Sequence, residues 1–153
     1  MITATIEDAI AYAAQKHKGQ KDKVGAAYIY HPLNVMRRLK TDEERIAGVL
    51  HDVVEDCGVT LAELRELGYS STVADALDFL SKRPEEEDNY EAFIDRIKDG
   101  PILAIKVKLA DLADNMDPSR PMEDNEKNRK RVTKYQRAFD ILTEALASRQ
   151  LAT

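Results

Sequence analysis

Two four-residue stretches constrain the fold of this chain most tightly: Thr41-Asp42-Glu43-Glu44 and Thr60-Leu61-Ala62-Glu63. Each has the pattern of a capping box. The threonine hydroxyl accepts from the backbone N–H three residues on, and the glutamate reaches back to the cap. Both therefore mark helix starts. Elsewhere, apolar residues recur at helical spacing. Ile6, Ile10, Ala13, Ala14 and His17 share one side of a segment that Thr5 can cap and Gly19 can stop. Leu33, Met36 and Leu39 follow Pro32, a residue suited to a first helical turn.

The same logic predicts helices over 42–56, ending before Gly58, and from Thr60 to Gly68. It predicts further helices over 71–80, 90–98, 101–115 and 123–147, with Pro118 and Pro121 breaking the chain between the last two. The final helix is expected to fray beyond Ser148. Residues 19–30 read as a lysine-rich loop, and Glu85-Glu86-Glu87-Asp88 as an exposed acidic loop without an apolar frame. No strand-like alternation, internal repeat or low-complexity linker appears. The expected fold is all-α, with about seven to eight helices packed in one domain spanning residues 1–153.

Composition narrows the function. Apolar residues make up 43% of the 153, enough for a core, and the net charge of −5 argues against nucleic-acid binding by the whole surface. It leaves room for a local basic pocket. The single cysteine, Cys57, permits no intramolecular disulfide, which suits a reducing, cytoplasmic compartment. The first residues lack a basic segment followed by an apolar run, so no secretory signal is expected, and no membrane span is expected either.

All three histidines, His17, His31 and His51, fall in the first third of the chain. His51-Asp52 follows the apolar run Ile46–Leu50, with Glu55 and Asp56 one turn further. Three carboxylates at a helix C-terminus oppose its dipole, each by roughly 0.3–1 kcal/mol. A bound cation reverses that sign; a solvated acidic helix end is the plainer reading. Asp111 stands in the apolar run that begins at Ala104, and Asn115 lies one turn on along the same face. A buried lone carboxylate is expensive unless paired or metal-bound. His31, His51, Asp52 and Asp111 together offer nitrogen and oxygen ligands suited to Mn²⁺, Fe²⁺ or Zn²⁺. Spacing leaves their convergence open, and Asp114 is a rival for Asp111.

Four segments in order carry a resemblance: His17-Lys18-Gly19-Gln20, Tyr28-Ile29-Tyr30-His31-Pro32, His51-Asp52-Val53-Val54-Glu55-Asp56, and Lys108-Leu109-Ala110-Asp111-Leu112-Ala113-Asp114-Asn115. This set resembles the hydrolase domain of RelA/SpoT proteins, and most of all the stand-alone small alarmone hydrolases, including the metazoan SpoT homologues. The similarity runs from about Ala9 to Tyr135. It implies an HD-superfamily fold holding one Mn²⁺ through His31, His51, Asp52 and Asp111. It also implies Glu55 and Asp56 as the catalytic acidic pair, with Lys23, Asn115, Arg131 and Tyr135 as substrate-binding residues.

The implied substrate is guanosine 3′,5′-bis(diphosphate), a phosphorylated nucleotide of the stringent response, losing its 3′-pyrophosphate. One departure limits this. Relatives acting on that substrate carry an arginine in the first loop that packs on guanine; here the position holds Asp22, which cannot stack in that way. Whether Lys21 compensates stays open. So do action on another nucleotide, a nicotinamide dinucleotide phosphate or a non-nucleotide phosphoester, and a catalytically silent nucleotide sensor. Homo-oligomerisation also stays open.

Several residues have plainer readings. His17 is expected in the core or behind the site, and Cys57 as a packing residue. Most of the run Lys127-Asn128-Arg129-Lys130-Arg131 is expected to face solvent, and Tyr135 fits a core position equally well.

Overall fold

The computed structural model describes residues 3–120 and 122–152; the break expected at Pro121 lies outside them. Among the described residues there are nine α-helices and no strand. They are α1 (Ile6–Lys16), α2 (Tyr30–Arg37), α3 (Asp42–Leu50), α4 (Val53–Cys57), α5 (Leu61–Glu66), α6 (Ser71–Phe79), α7 (Tyr90–Lys98), α8 (Ile102–Asn115) and α9 (Glu126–Leu151). A 3-10 turn at Pro84–Glu86 precedes α7.

The local signals hold where they are self-contained. Thr41 and Thr60 each accept from the backbone N–H three residues on, Glu44 and Glu63, and both boxes are closed by the glutamate side chain. Thr5 caps α1 in the same way with Asp8. The final helix starts later than expected because the Asn125 side chain accepts from the Asn128 N–H. It also continues past Ser148, to Leu151.

The largest difference lies at His51-Asp52. The single helix expected over 42–56 is broken there into α3 and α4. The His51 N–H reaches back three residues to the Gly48 carbonyl at 3.4 Å. The His51 Nδ1–H donates to the same carbonyl at 2.6 Å. The turn tightens, and Asp52 becomes the residue before α4. Glu55 and Asp56 therefore sit in the first turn of a new short helix, not at the end of a long one. The long helix whose dipole would oppose them is not formed.

The acidic loop is corrected as well. Glu86 is buried, and its carboxylate accepts from Arg96 Nε and Nη2 at 2.8 and 2.9 Å. The arginine, on the next helix, pulls one carboxylate of the run out of solvent.

Helices α3 and α8 are central. α3 packs on α1, α2, α6 and α8; α8 packs on α2, α3, α6, α7 and α9. Leu50, Leu64, Leu77, Phe93, Ile97, Ile105, Leu112 and Leu142 lie in the core with essentially no exposure. Gly48 lets α2 and α3 approach closely: a Cβ there would fall 2.6 Å from Leu39 Cδ1 and 3.5 Å from Met36 Cα. That approach brings His31, near the start of α2, beside His51, at the end of α3.

Candidate metal centre

The imidazoles of His31 and His51 are buried, 5.3 Å apart between ring centroids. Each has its Nδ1 tied off by the protein. His31 Nδ1–H donates to Asp114 Oδ2 at 2.7 Å, and His51 Nδ1–H donates to the Gly48 carbonyl. Both Nε2 lone pairs then point inward, at carboxylates. His31 Nε2 lies 2.8 Å from Asp111 Oδ1. His51 Nε2 lies 3.0 Å from Asp52 Oδ2 and 3.4 Å from Asp111 Oδ1, and it has no hydrogen-bond partner among the described residues. Lone pairs facing carboxylate oxygens at these distances repel unless a proton or a cation stands between them.

Ligand atoms of His31, His51 and Asp52 all lie within 4.8 Å of one another. With the Asp111 oxygen between the two rings, the donors are two neutral imidazoles and two carboxylates. That set fits a divalent cation of the Mn²⁺, Fe²⁺ or Zn²⁺ kind. The outward Nδ1 bonds fix the tautomer such a cation needs.

The titration behaviour follows. Burial pulls the His31 imidazole down, but the hydrogen bonds to Asp111 and Asp114 outweigh it and its pKa is raised. For His51, burial is likewise outweighed, first by the Asp52 charge, and the pKa stands well above the ordinary range. Asp52 is opposed by burial but lowered to about 2, chiefly by the His51 charge. Asp111, also opposed by burial, is held well below the usual carboxylate range, chiefly by Lys108. Protons thus fill the place a cation would take.

Asp114 is resolved from Asp111 by this geometry. Asp111 faces the shared space; Asp114 stands behind the His31 ring, where it also meets Arg120 Nη1 at 3.2 Å. Three residues not singled out by sequence complete the surroundings. The Tyr28 hydroxyl donates to Asp52 Oδ2. Lys108 Nζ lies 2.8 Å from Asp111 Oδ2. Arg120 Nη1 donates to Asn115 Oδ1 at 2.9 Å. Tyr28 and Lys108 carry one legible signal, in that each is a polar-tipped residue inside or beside a ligand-bearing segment. Arg120, beyond a proline break, carries none.

The cluster forms the floor of a cleft of about 800 Å³. His31, Asp52, Asp111, Asn115, Lys23, Arg131 and Tyr135 line it; His51 lies behind them. The wall is basic, with Lys21, Lys23, Arg120, Lys127 and Arg131, although the chain as a whole is acidic. Burial, and then the neighbouring Arg131, Lys127 and Lys134, pushes the Lys23 pKa down. Cations crowded against one another in this way make a ready place for an anion.

Glu55 and Asp56 are not among the residues lining the cleft. Glu55 accepts from the Lys82 backbone N–H at 3.2 Å. Asp56 accepts from Gln20 Nε2 at 3.5 Å, and Gln20 does line the cleft. Burial, and next the Asp52 charge, raises the Asp56 pKa. Asn115 is committed at both ends, its Nδ2 donating to Asp111 Oδ1 at 3.2 Å and its Oδ1 accepting from Arg120. His17 is buried, its Nδ1–H donating to Gln20 Oε1 at 2.8 Å. Cys57 Sγ lies 3.6 Å from the same nitrogen.

Asp22 has a structural task. Its Oδ1 accepts from the backbone N–H groups of Val24 and Ala26 at 3.0 and 2.9 Å. Gly25, at φ +87°, closes that turn. Lys21 and Ala27 pair across it.

Among the described residues the fold is all-helical, with two histidines and two aspartates brought together from α2, the α3–α4 junction and α8; that arrangement defines a class, and the comparisons agree. The profile described as HD domain matches residues 9–150, and the chain belongs to that family. HD domains bind divalent metals, and His31, His51 and Asp52 form such a candidate site here.

Among similar proteins, the guanosine-3′,5′-bis(diphosphate) 3′-pyrophosphohydrolase of Aquifex aeolicus is 36% identical over 121 residues, covering 72% of this chain and 17% of that protein. The GTP pyrophosphokinase of Myxococcus xanthus is 37% identical over 127 residues, covering 72% of this chain and 16% of its own length. The chain thus spans about a sixth of those two relatives. The guanosine-3′,5′-bis(diphosphate) 3′-pyrophosphohydrolase MESH1 of Danio rerio is 34% identical over 125 residues, covering 74% of this chain and 67% of that protein. A solved structure, described as a metazoan ortholog of SpoT that hydrolyses ppGpp, shares the fold with a TM-score of 0.74 at 22% identity. That match covers 90% of this chain and 84% of the other. No helix among the described residues is long and apolar enough to cross a membrane.

Proposed function

We propose that this chain is a metal-dependent phosphohydrolase that removes the 3′-pyrophosphate of guanosine 3′,5′-bis(diphosphate). The observation that carries the reading is the pair of buried imidazoles whose Nε2 atoms face Asp52 and Asp111 on the floor of a basic-walled cleft. Relatives named for this reaction support the substrate.

His31, His51, Asp52 and Asp111 would hold the cation, with Mn²⁺ as the proposed ion. When bound, it supplies Lewis-acid charge to phosphate oxygens and acidifies a water. The chain's own residues do the rest. Lys23 and Arg131 hold the phosphate groups against the basic wall, and Tyr135 lines the nucleotide side. Tyr28 holds Asp52 in place. Asp56, held by the Gln20 amide at the edge of the cleft, would take the proton of the attacking water through one intervening water. Glu55, bonded to the Lys82 backbone, steadies α4 beneath it. The water oxygen bonds to the phosphorus next to the ribose, the bond from that phosphorus to O3′ breaks, and O3′ takes a proton. Pyrophosphate leaves as a unit. Positioning and charge carry most of the rate in such chemistry.

A second reading keeps this chemistry and changes the base. The Asp22 carboxylate closes its own loop and offers no cation to stack on guanine. Another nucleotide, or a nicotinamide dinucleotide phosphate, then suits the cleft. Metal analysis of the purified protein, with a phosphate and pyrophosphate release panel in Mn²⁺, separates the two. Pyrophosphate released from the guanosine substrate alone supports the first. Release only from the other substrates supports the second. No release from any, with metal bound, overturns both.

A further inference from the structure

The geometry points to Arg120 as an additional phosphate ligand of the cleft, an inference that rests on the phosphohydrolase reading above. Arg120 follows α8 and lines the same cavity as His31, Asp52 and Asp111. A guanidinium has five N–H donors in a fixed fork. Two belong to Nη1, and both are used: Asn115 Oδ1 accepts at 2.9 Å and Asp114 Oδ2 at 3.2 Å, and the same nitrogen lies 3.2 Å from His31 Nδ1. Those bonds fix the plane of the group. No hydrogen bond from Nε or Nη2 occurs among the described residues, and the side chain is 28% exposed. Three aligned donors are therefore held at the edge of the cation site.

The anchoring matters as much as the charge. Asp114 and Asn115 are the residues that orient His31 and touch Asp111. Arg120 is thus referenced to the same framework as the proposed ligands. Its free edge stands at a fixed place relative to any phosphate held there. A planar fork with Nε and Nη2 free matches two oxygens of one phosphate group, which a lysine ammonium cannot do. Arg120 would meet the phosphate nearest the cation, while Lys23 and Arg131 hold the more distant charges.

The test uses inorganic pyrophosphate and the Mn²⁺-loaded full chain. Calorimetric titration is carried out on the native protein, Arg120→Ala and Arg120→Lys, with metal content and melting temperature measured for each. Loss of charge-assisted hydrogen bonds should weaken pyrophosphate binding about tenfold or more in Arg120→Ala at unchanged metal content. Arg120→Lys should regain only part of it. Affinity within about twofold of native for a folded, metal-loaded Arg120→Ala would overturn the inference, by the same scale. So would full recovery in Arg120→Lys, or absence of pyrophosphate binding by the native protein. Turnover of the guanosine substrate is scored separately on the native chain. Its failure there would refute the substrate reading while leaving the pyrophosphate result standing.

Discussion

The Asp114 carboxylate stands 2.7 Å from His31 Nδ1, on the side of the ring away from Asp111. That contact decides what His31 can do. With Nδ1–H donated outward, the Nε2 lone pair faces the shared space, and the ring cannot turn without losing a buried hydrogen bond. Asp114→Asn keeps the shape but lets the amide present either a donor or an acceptor to the ring. Loss of this supporting partner should weaken divalent-metal binding by about ten- to a hundredfold with the fold intact. Metal titration beside a circular dichroism spectrum checks it. An Asp114→Asn protein that binds metal as tightly as native would mean that the tautomer is fixed by something else.

Raised imidazoles give the metal-free protein an unusual pH response. His31 and His51 both titrate above the ordinary histidine value of 6.5. Their contribution to stability is fully present below that unfolded value and is lost as pH rises through the higher folded ones. Metal binding runs the other way, because a ligating imidazole must be neutral. With chelator present, the melting temperature should fall as pH rises above 6.5 and through the higher folded values of the two rings. With Mn²⁺ in excess, it should hold or rise over the same range. Thermal melts across pH in both conditions test this. Parallel curves with and without metal would remove the two histidines from the site.

Some of this was legible in the chain and some was not, for identifiable reasons. Capping boxes at Thr41 and Thr60 are local devices whose partners lie three residues away, so they can be read without the fold. Asp111 and Asp114 share one helix face, and spacing cannot rank them. Only the two nitrogens of His31, brought over from α2, assign one carboxylate to each side of the ring. The break at His51-Asp52 depends on a side-chain bond to Gly48, which competes with the regular backbone ladder and leaves the apolar pattern unchanged. Glu86 looks solvated in an acidic run until Arg96 comes over from α7. Arg120 depends on how the chain turns after α8, and nothing in its local sequence marks it.

Asp22 should behave as a loop residue and not as a contact to the base. Its side chain bonds two backbone N–H groups, so Asp22→Ala frees the turn that carries Lys23 into the cleft. Asp22→Asn retains an acceptor oxygen and should stay near native. For the alanine variant KM should rise several-fold, and kcat should stay within about twofold, as expected for lost ground-state positioning. Hydrogen exchange at Val24 and Ala26 should quicken in parallel. A fall in kcat without faster exchange would place Asp22 in the chemistry instead.

Lys108 is the buried counter-charge of Asp111. Its ammonium, 13% exposed, lies 2.8 Å from Asp111 Oδ2 and 5.2 Å from the centre of the Phe93 ring. Burial lowers the lysine pKa, but the Asp111 charge outweighs it and the group stays protonated. Lys108→Met keeps the aliphatic volume and leaves Asp111 facing two imidazoles without its nearest fixed cation. Breaking a buried pair from one side costs about 3–5 kcal/mol, so the metal-free variant should melt well below native. A divalent ion on Asp111 replaces the lost charge. Mn²⁺ should therefore raise the melting temperature of Lys108→Met more than that of the native chain. Denaturation with and without metal measures the difference directly. Equal losses in both conditions would show that Lys108 supports the core through its contacts with Tyr90 and Phe93, and that Asp111 does not depend on it for charge.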